Sequence, residues 1–479
     1  MKPYIYKFGT KNFKYIYDIN TNRVFQVSDI VYKLIDYYSE YNFNEAIRKC
    51  PQYTREQLLD GWKEIDHAIT KNGLFSTHYP SQMIYLNNFK DMTHQQLILN
   101  ITERCNLRCS YCIYSGKYKG KRVHSERDMD FETAKVVLDK FLRNAADEVV
   151  ISFYGGEPLL NFELIKRIVK YVEGSYKKNI SWNMTTNGTL LTLPICDFLY
   201  KKNFSFAVSL DGPQTIHDRY RKLSNGEGSY DTIVANLRYL QWLDEDFYRK
   251  NISFSIVNAP PVNLTLINDF FTYESLVNKN KKFFSYMRSK GVDGFDFNST
   301  TEDYDDWNNC TSEFFKRFPK DAINNNVQNS LIENMHRNDF LRFYNRAKTP
   351  LEDAIYPNGC CLPGFRRLFV SIDHKLYVCE KMDHCYEIGT VEDWIDTSRI
   401  EKLFDEYIAA SLDCFNCWAC RICSNCFNTF LVNGRIDKNI HETQCETTRS
   451  SLTQMLVNYY SILEENLSAF DYMKDMEPI

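Results

Sequence analysis

Leu97-Ile98-Leu99-Asn100-Ile101-Thr102-Glu103-Arg104-Cys105-Asn106-Leu107-Arg108-Cys109-Ser110-Tyr111-Cys112 is the stretch on which the fold turns. Its first five residues read as a strand. Three thiols follow at x3 and x2 spacing, so a single loop at the strand's end presents all of them. Further strand candidates are Val149–Phe153, Ser181–Thr185, Ser205–Ser209, Ser253–Val257 and Phe295–Asn298. Helical patterns lie between them, for instance over Phe131–Ala145, Phe162–Val172 and Tyr230–Leu243. This alternation implies an α/β fold with a parallel sheet of βαβ units, whose functional loops gather at the strand C-terminal ends.

The rest of the chain divides around that core. Its 479 residues suggest three or so domains. Lys and Arg number 58 against 62 Asp and Glu, a net charge of -4, which disfavours wholesale nucleic-acid binding. Met1-Lys2-Pro3-Tyr4 opens without the apolar stretch of a signal peptide, and no run of about 18 apolar residues is present, so no membrane partner and a cytoplasmic address are expected. In a reducing compartment 16 Cys at short spacings read as metal ligands rather than disulfides. Cys50, Cys196 and Cys310 stand alone and read as small buried hydrophobes.

Residues 1–75 form a candidate unit of their own. Tyr4–Phe8, Phe13–Asp18 and Arg23–Val27 have the meander signature. Helices are expected from Ser28, from Asn44, and from Thr54, which forms a capping box with Gln57. Three strands and three helices suggest a small winged-helix arrangement. A linker over 76–94 leads to the α/β region at 95–300. A helical bridging region is expected at 301–358 and a Cys-rich region at 359–446, with a hairpin over Arg367–Val378. A last helix is expected from about Thr447 to Leu467, within 447–479.

Three thiolates in one loop can hold three irons of a [4Fe-4S] cube and leave the fourth open to an exogenous ligand. The competing zinc knuckle normally takes four closed ligands, and no His or Cys lies near enough in sequence to be an obvious fourth. Gly155-Gly156-Glu157-Pro158, Thr185-Thr186-Asn187-Gly188-Thr189 and Ser209-Leu210-Asp211-Gly212-Pro213 follow the second, third and fourth strands, with His217, Asp218 and Arg221 beyond. These motifs resemble the radical S-adenosylmethionine (SAM) superfamily, whose CxxxCxxC loop follows the first strand of a partial (β/α)6 barrel. The resemblance implies a SAM-binding [4Fe-4S] cluster on Cys105, Cys109 and Cys112. It implies SAM contacts from Tyr111, Gly155, Gly156, Glu157, Asn187, Ser209, Asp211, Arg221 and Asn258.

The pattern Cys414-x2-Cys417-x2-Cys420-x2-Cys423-x2-Cys426, with Cys445 beyond, resembles the SPASM domain of peptide-modifying radical SAM enzymes. By that resemblance Cys414, Cys417, Cys423 and Cys445 hold one auxiliary [4Fe-4S] cluster. Cys361, Cys379 and Cys426 hold another, making three clusters in all. The fourth ligand of the latter is Cys360, Cys385 or a substrate thiolate. Three departures are visible: the Cys361 to Cys379 interval is long, His374 stands where the family has Gly, and the last gap is x2 rather than x3. Cys420 matches no family position.

Residues 1–75 resemble the PqqD-like recognition element of enzymes that modify ribosomally made peptides. Arg23, Val24, Phe25, Lys63 and Lys71 are the implied peptide contacts. The expected partners are a precursor peptide with a leader and a flavodoxin- or ferredoxin-type one-electron reductant. The expected reaction is a Cys thioether crosslink. Carbon-carbon crosslinking, sulfatase-type formylglycine formation and a zinc-bound peptide-binding scaffold are the alternatives.

Overall fold

A computed structural model of the protein describes residues 2–38, 42–84, 93–118, 120–287, 305, 307–313, 316, 320, 331–356, 361, 364, 366–382, 384–432 and 435–476. Near the N-terminus β1 (Ile5–Gly9), β2 (Lys14–Asp18) and β3 (Arg23–Val27) form an antiparallel sheet in sequence order. Helices α1 (Asp29–Tyr38), α2 (Phe43–Lys49) and α3 (Arg55–Asn72) follow. The capping box at α3 is formed: the Thr54 hydroxyl accepts from Gln57 N at 3.2 Å, and the Gln57 carbonyl accepts from Thr54 N at 2.9 Å. Ile16, Leu34, Ile35, Leu58 and Ile65 make the core of this unit. Among the described residues β3 pairs only with β2, so its outer edge has no strand partner there.

The short β4 (Gln82–Met83) pairs with β11 (Ala354–Ile355) far along the chain. Beyond β4 the parallel sheet runs β5 (His94–Thr102), β6 (Ala145–Gly155), β7 (Asn179–Thr186), β8 (Ser205–Ser209), β9 (Ile252–Asn258) and β10 (Lys281–Tyr286). Seven helices cover it: α4 (Phe131–Asn144), α5 (Phe162–Ser175), α6 (Leu193–Lys201), α7 (Gln214–Tyr220), α8 (Tyr230–Leu243), α9 (Glu245–Asn251) and α10 (Leu264–Tyr273). Leu97, Leu99, Ile151, Phe153, Met184, Val208, Phe254 and Ile256 are buried in its core.

The sixth parallel strand differs from the sequence expectation. Phe295–Asn298 lies outside the described residues, and the strand beside β9 is Lys281–Tyr286. Its opening Lys-Lys pair disguises it. Lys282 is nevertheless buried, with its ammonium donating to the Asn278 and Asn280 carbonyls at 2.9 and 3.0 Å, and burial pushes its pKa down to about 8.

The Cys-rich region continues the same sheet. The expected hairpin forms as β12 (Arg367–Val370) and β13 (Lys375–Tyr377), and β12 pairs in parallel with β5. β14 (Gly389–Thr390) and β15 (Trp394–Ile395) complete ten strands. Helices α11 (Leu331–Tyr344), α12 (Thr397–Ala410), α13 (Phe427–Phe430) and α14 (Lys438–Glu465) pack around it. The last helix thus begins well before Thr447, because Asp437 caps it by accepting from Asn439 N and Ile440 N, and Cys445 is helical.

Residues 1–75 are docked on this region rather than free. The Tyr6 ring stacks on Trp418 at 3.7 Å, and Tyr4 Oη donates to the Cys417 carbonyl at 2.7 Å. Glu464 accepts from Asn12 and Tyr15 at 2.9 and 2.8 Å. Among the described residues no helix is long and apolar enough to cross a membrane.

Candidate active site

Cys105, Cys109 and Cys112 line a cavity of about 490 Å³ at the C-terminal ends of the parallel strands. Their loop is pinned by the segment at the end of α7: Arg108 N donates to the Lys222 carbonyl at 2.8 Å and Ser110 N to the Tyr220 carbonyl at 3.1 Å. Burial pushes the thiol pKa of Cys105 up to about 12 and of Cys112 up to about 11. Burial also raises Cys109, against the opposing pull of the Arg221 guanidinium. Without a metal to take them as thiolates, these groups stay protonated at neutral pH, so metal loading must release protons. Among the described residues no three His, Cys, Asp or Glu side chains stand close enough to share one ion. The three thiols instead ring a volume that suits a polynuclear cluster with a small organic ligand.

Gly155 and Gly156 have a steric reason that the sequence does not display. A Cβ on Gly155 would meet the Thr102 carbonyl oxygen at 2.1 Å, and one on Gly156 would meet that of Arg104 at 2.1 Å. The turn after β6 lies directly on the root of the cysteine loop, with Gly156 N donating to Thr102 O at 2.9 Å and Glu157 N to Arg104 O at 2.8 Å. Both glycines also line the cavity.

Glu157 lies behind the cavity wall. It is fully buried and is not among the groups lining the cavity. Its carboxyl accepts from Thr186 Oγ1 at 2.7 Å, Asn187 N at 2.6 Å and Leu159 N at 3.1 Å, while burial pushes its pKa up to about 7. It therefore fixes the turn after β7. Asn187 reaches the cavity, and its side chain bonds Asn106 at 2.8 Å and Thr189 N at 2.9 Å.

Asp211 also faces protein rather than an open hydroxyl site. Its carboxylate accepts from Arg221 Nε at 2.8 Å, Val257 N at 2.9 Å and the Tyr111 hydroxyl. The cavity wall consequently carries Tyr111, Arg221, Ser209 and Val257, with Asp211 behind them holding three. Among the described residues neither amide atom of the fully buried Asn258, next to Val257, has a partner. An orphaned amide at a strand end bordering the cavity fits a ligand that supplies hydrogen bonds there.

His217 sits one layer deeper. Its Nδ1 accepts from Asp211 N at 3.3 Å and its Nε2 faces Ser229 Oγ at 3.0 Å, so the neutral ring bridges two turns. Burial pushes its pKa from 6.5 down to about 4. The unfolded chain then binds more protons across that window, so the stability contribution is complete above about 6.5 and is lost as pH falls toward 4. The expected cost is about 3 kcal/mol. Denaturant melts should show a steeper loss between those pH values in the wild type than in His217→Asn; equal slopes would contradict this.

Among the cavity residues that sequence reasoning missed are the polar Lys121, His124, Lys381 and Asn428. His124 bears on the zinc alternative: its Nε2 lies 3.6 Å from Cys112 Sγ and its Nδ1 lies 3.3 Å from the Glu103 carbonyl. A histidine near the third thiol thus exists, twelve residues beyond it, where the chain folds back and His124 N donates to the Tyr114 carbonyl at 3.0 Å. No spacing rule would have found it.

In the Cys-rich region Cys414, Cys417, Cys423 and Cys445 line one small cavity, and Cys420 lines it too. Burial first, then the neighbouring thiols Cys417, Cys423, Cys445 and Cys420, raise Cys414. Cys426 is not in that group. It lies instead close enough to Cys379 to raise its thiol, which burial already pushes up to about 12. Cys361 is exposed, Cys385 lines a separate cavity, and Cys360 lies outside the described residues. Arg122 connects this region to the first loop, stacking over Phe369 at 4.3 Å and donating to the Glu380 carbonyl.

On the N-terminal unit, Lys63 pairs with Asp60 at 3.1 Å on the exposed face of α3 and Lys71 is exposed near its end. Arg23 is exposed at the start of edge strand β3, and Phe25 packs edge-on against Phe75 at 5.7 Å.

The fold, and a thiol triad at the strand ends, define a class of enzyme: the family model of the radical SAM superfamily matches residues 99–243, and the chain belongs to that superfamily. An uncharacterized protein of Methanocaldococcus jannaschii is 33% identical over 222 residues, 41% of this chain and 74% of that protein. The cysteine-type anaerobic sulfatase-maturating enzyme of Clostridium novyi is 23% identical over 338 residues, 67% of this chain and 84% of the relative. The solved structure of anSMEcpe with bound AdoMet shares the fold with a TM-score of 0.55 at 18% identity, covering 80% of this chain and 96% of that one. The protein is therefore a radical SAM enzyme.

Proposed function

We propose that this enzyme matures a ribosomally made peptide, forming a thioether between a Cys sulfur and a carbon of the same precursor. Cys105, Cys109 and Cys112 would hold the SAM-binding [4Fe-4S] cluster, and when bound the cluster and SAM supply a 5'-deoxyadenosyl radical that takes a hydrogen atom from the substrate. The surrounding residues shape and orient the cavity. Tyr111 and Arg221 are locked by Asp211, Gly155 and Gly156 let the backbone close on the loop, and Lys381 and Asn428 reach the cavity from the Cys-rich side.

The observation that carries the thioether reading is the separation of the second cysteine group into two places. Five thiols surround one small cavity, while Cys379 and Cys426 lie together elsewhere with no third described thiol shown beside them. An incomplete set of this kind suits an auxiliary cluster with room for a substrate thiolate. The docked N-terminal unit, with its exposed edge strand β3, suits leader binding by strand addition. A sulfatase-type formylglycine reaction is the second reading, favoured by the named relative from Clostridium novyi.

Mass spectrometry of a co-expressed precursor separates them. The expected product is lighter by two hydrogens and has a Cys that resists alkylation. Oxidation of a Cys or Ser to an aldehyde, trapped by hydrazine, would establish the second reading instead.

A further inference from the structure

A groove of about 500 Å³ lies apart from the strand ends, between the N-terminal unit and the Cys-rich region. Asn22 of the β2–β3 turn lines it, together with Arg342, Arg346, Arg421 and the acidic Glu352. The three guanidiniums spend their hydrogen bonds on neutral oxygens. Arg342 Nη1 donates to the Cys423 carbonyl at 3.1 Å and Arg346 Nε to that of Asn22 at 2.9 Å. Arg421 Nη1 donates to the carbonyls of Ile19, Asn20 and Thr349 at 3.2, 3.2 and 2.8 Å.

Carbonyl acceptors orient these cations without neutralising them. Among the described residues none of the three has a carboxylate within ion-pair distance. Asp339 interacts with Arg342, and burial raises its carboxyl pKa against the pull of that guanidinium. Glu352 is exposed. Among the groups that line the groove, three are guanidiniums and one is a carboxylate, in a chain that is acidic overall. A groove with such a balance concentrates anions, and Arg favours carboxylates in particular.

Position narrows the choice of anion. Asn22 immediately precedes β3, so a chain that pairs along the free edge of β3 leaves that edge beside the groove. We infer that the groove takes an acidic segment of the peptide substrate, adjoining the stretch that adds to β3. This rests on the peptide-maturase reading above and gives it a substrate requirement: carboxylates next to the strand-forming stretch.

Binding to the anaerobically prepared holoenzyme tests it with fluorescein-labelled decapeptides of alternating Glu-Ser, Gln-Ser and Lys-Ser. At low salt the Glu-Ser peptide should bind roughly tenfold tighter than Gln-Ser and tighter still than Lys-Ser, and the advantage should vanish near 0.5 M salt, where the Debye length is only about 4 Å. Glu352→Lys, at an exposed residue lining the groove, should tighten the Glu-Ser peptide severalfold. Arg346→Gln should loosen it. A photo-crosslinker on the peptide should label residues between 345 and 356.

Equal binding of the Glu and Gln peptides, or crosslinks confined to other surfaces, overturns the groove assignment. Tighter binding of Lys-Ser overturns it as well. If the enzyme modifies its precursor yet shows no charge preference, the groove inference falls alone. If the preference holds but no peptide is modified in the mass-spectrometric assay, the maturase reading falls instead.

Discussion

Cys109→Ala is expected to abolish reductive SAM cleavage, with 5'-deoxyadenosine formation falling below about one thousandth of the wild-type rate, about 4 kcal/mol in barrier. The thiol lies in the cavity with Cys105 and Cys112, beside the Arg221 guanidinium. Removing it leaves two thiols where a cube with one open iron needs three, so iron bound at this site should fall as well. Cys196→Ala is the control, because that thiol is fully buried and donates to the Leu191 carbonyl at 3.3 Å, outside the cavity. It should lose only the modest stability of a small hydrophobe and keep cleavage. Equal cleavage by wild type and Cys109→Ala would remove the site assignment.

Asp211→Asn is expected to cost 3 to 5 kcal/mol of stability, roughly the effect of breaking a buried ion pair by removing one partner. Arg221 and Asp211 are 8% and 2% exposed, so the change strands a cation away from water. The neutral amide also cannot accept from Arg221, Val257 N and the Tyr111 hydroxyl at once. Tyr111 and Arg221 both line the cavity, so SAM cleavage should fall together with the denaturation midpoint. A midpoint change worth less than about 1 kcal/mol would show that the three contacts are dispensable.

Much of this was legible in the sequence because each chemical motif directly follows a strand. Cys105, Cys109 and Cys112 follow β5, Gly155 and Gly156 end β6, and Ser209 ends β8, so strand placement alone put them at one end of a sheet. The capping box at Thr54 and the Arg367–Val378 hairpin are local signals and formed as read.

Other features depend on tertiary contacts. Glu157 and Asp211 are expected SAM contacts whose oxygens are also engaged by protein donors: Asn187 N just beyond β7, Arg221 at the end of α7 and Val257 N within β9. A carboxylate in a motif looks the same whether it faces a ligand or a neighbouring turn. His124 reaches Cys112 through a fold-back without periodic signal. β10 was hidden by a buried lysine, and α14 by an N-cap lying upstream of the last cysteine. Cys420, unmatched by any family spacing, joins the other four thiols because its side chain lies between their cavity and the Tyr4 hydroxyl, 3.4 Å away.

The most direct measurement is 5'-deoxyadenosine production by the anaerobically reconstituted protein supplied with SAM and dithionite, quantified by liquid chromatography and mass spectrometry. Formation of 5'-deoxyadenosine and methionine in equal amounts, lost in Cys109→Ala and kept in Cys196→Ala, is the predicted result. Intact SAM in the presence of a fully reduced, iron-loaded wild-type protein would contradict the account.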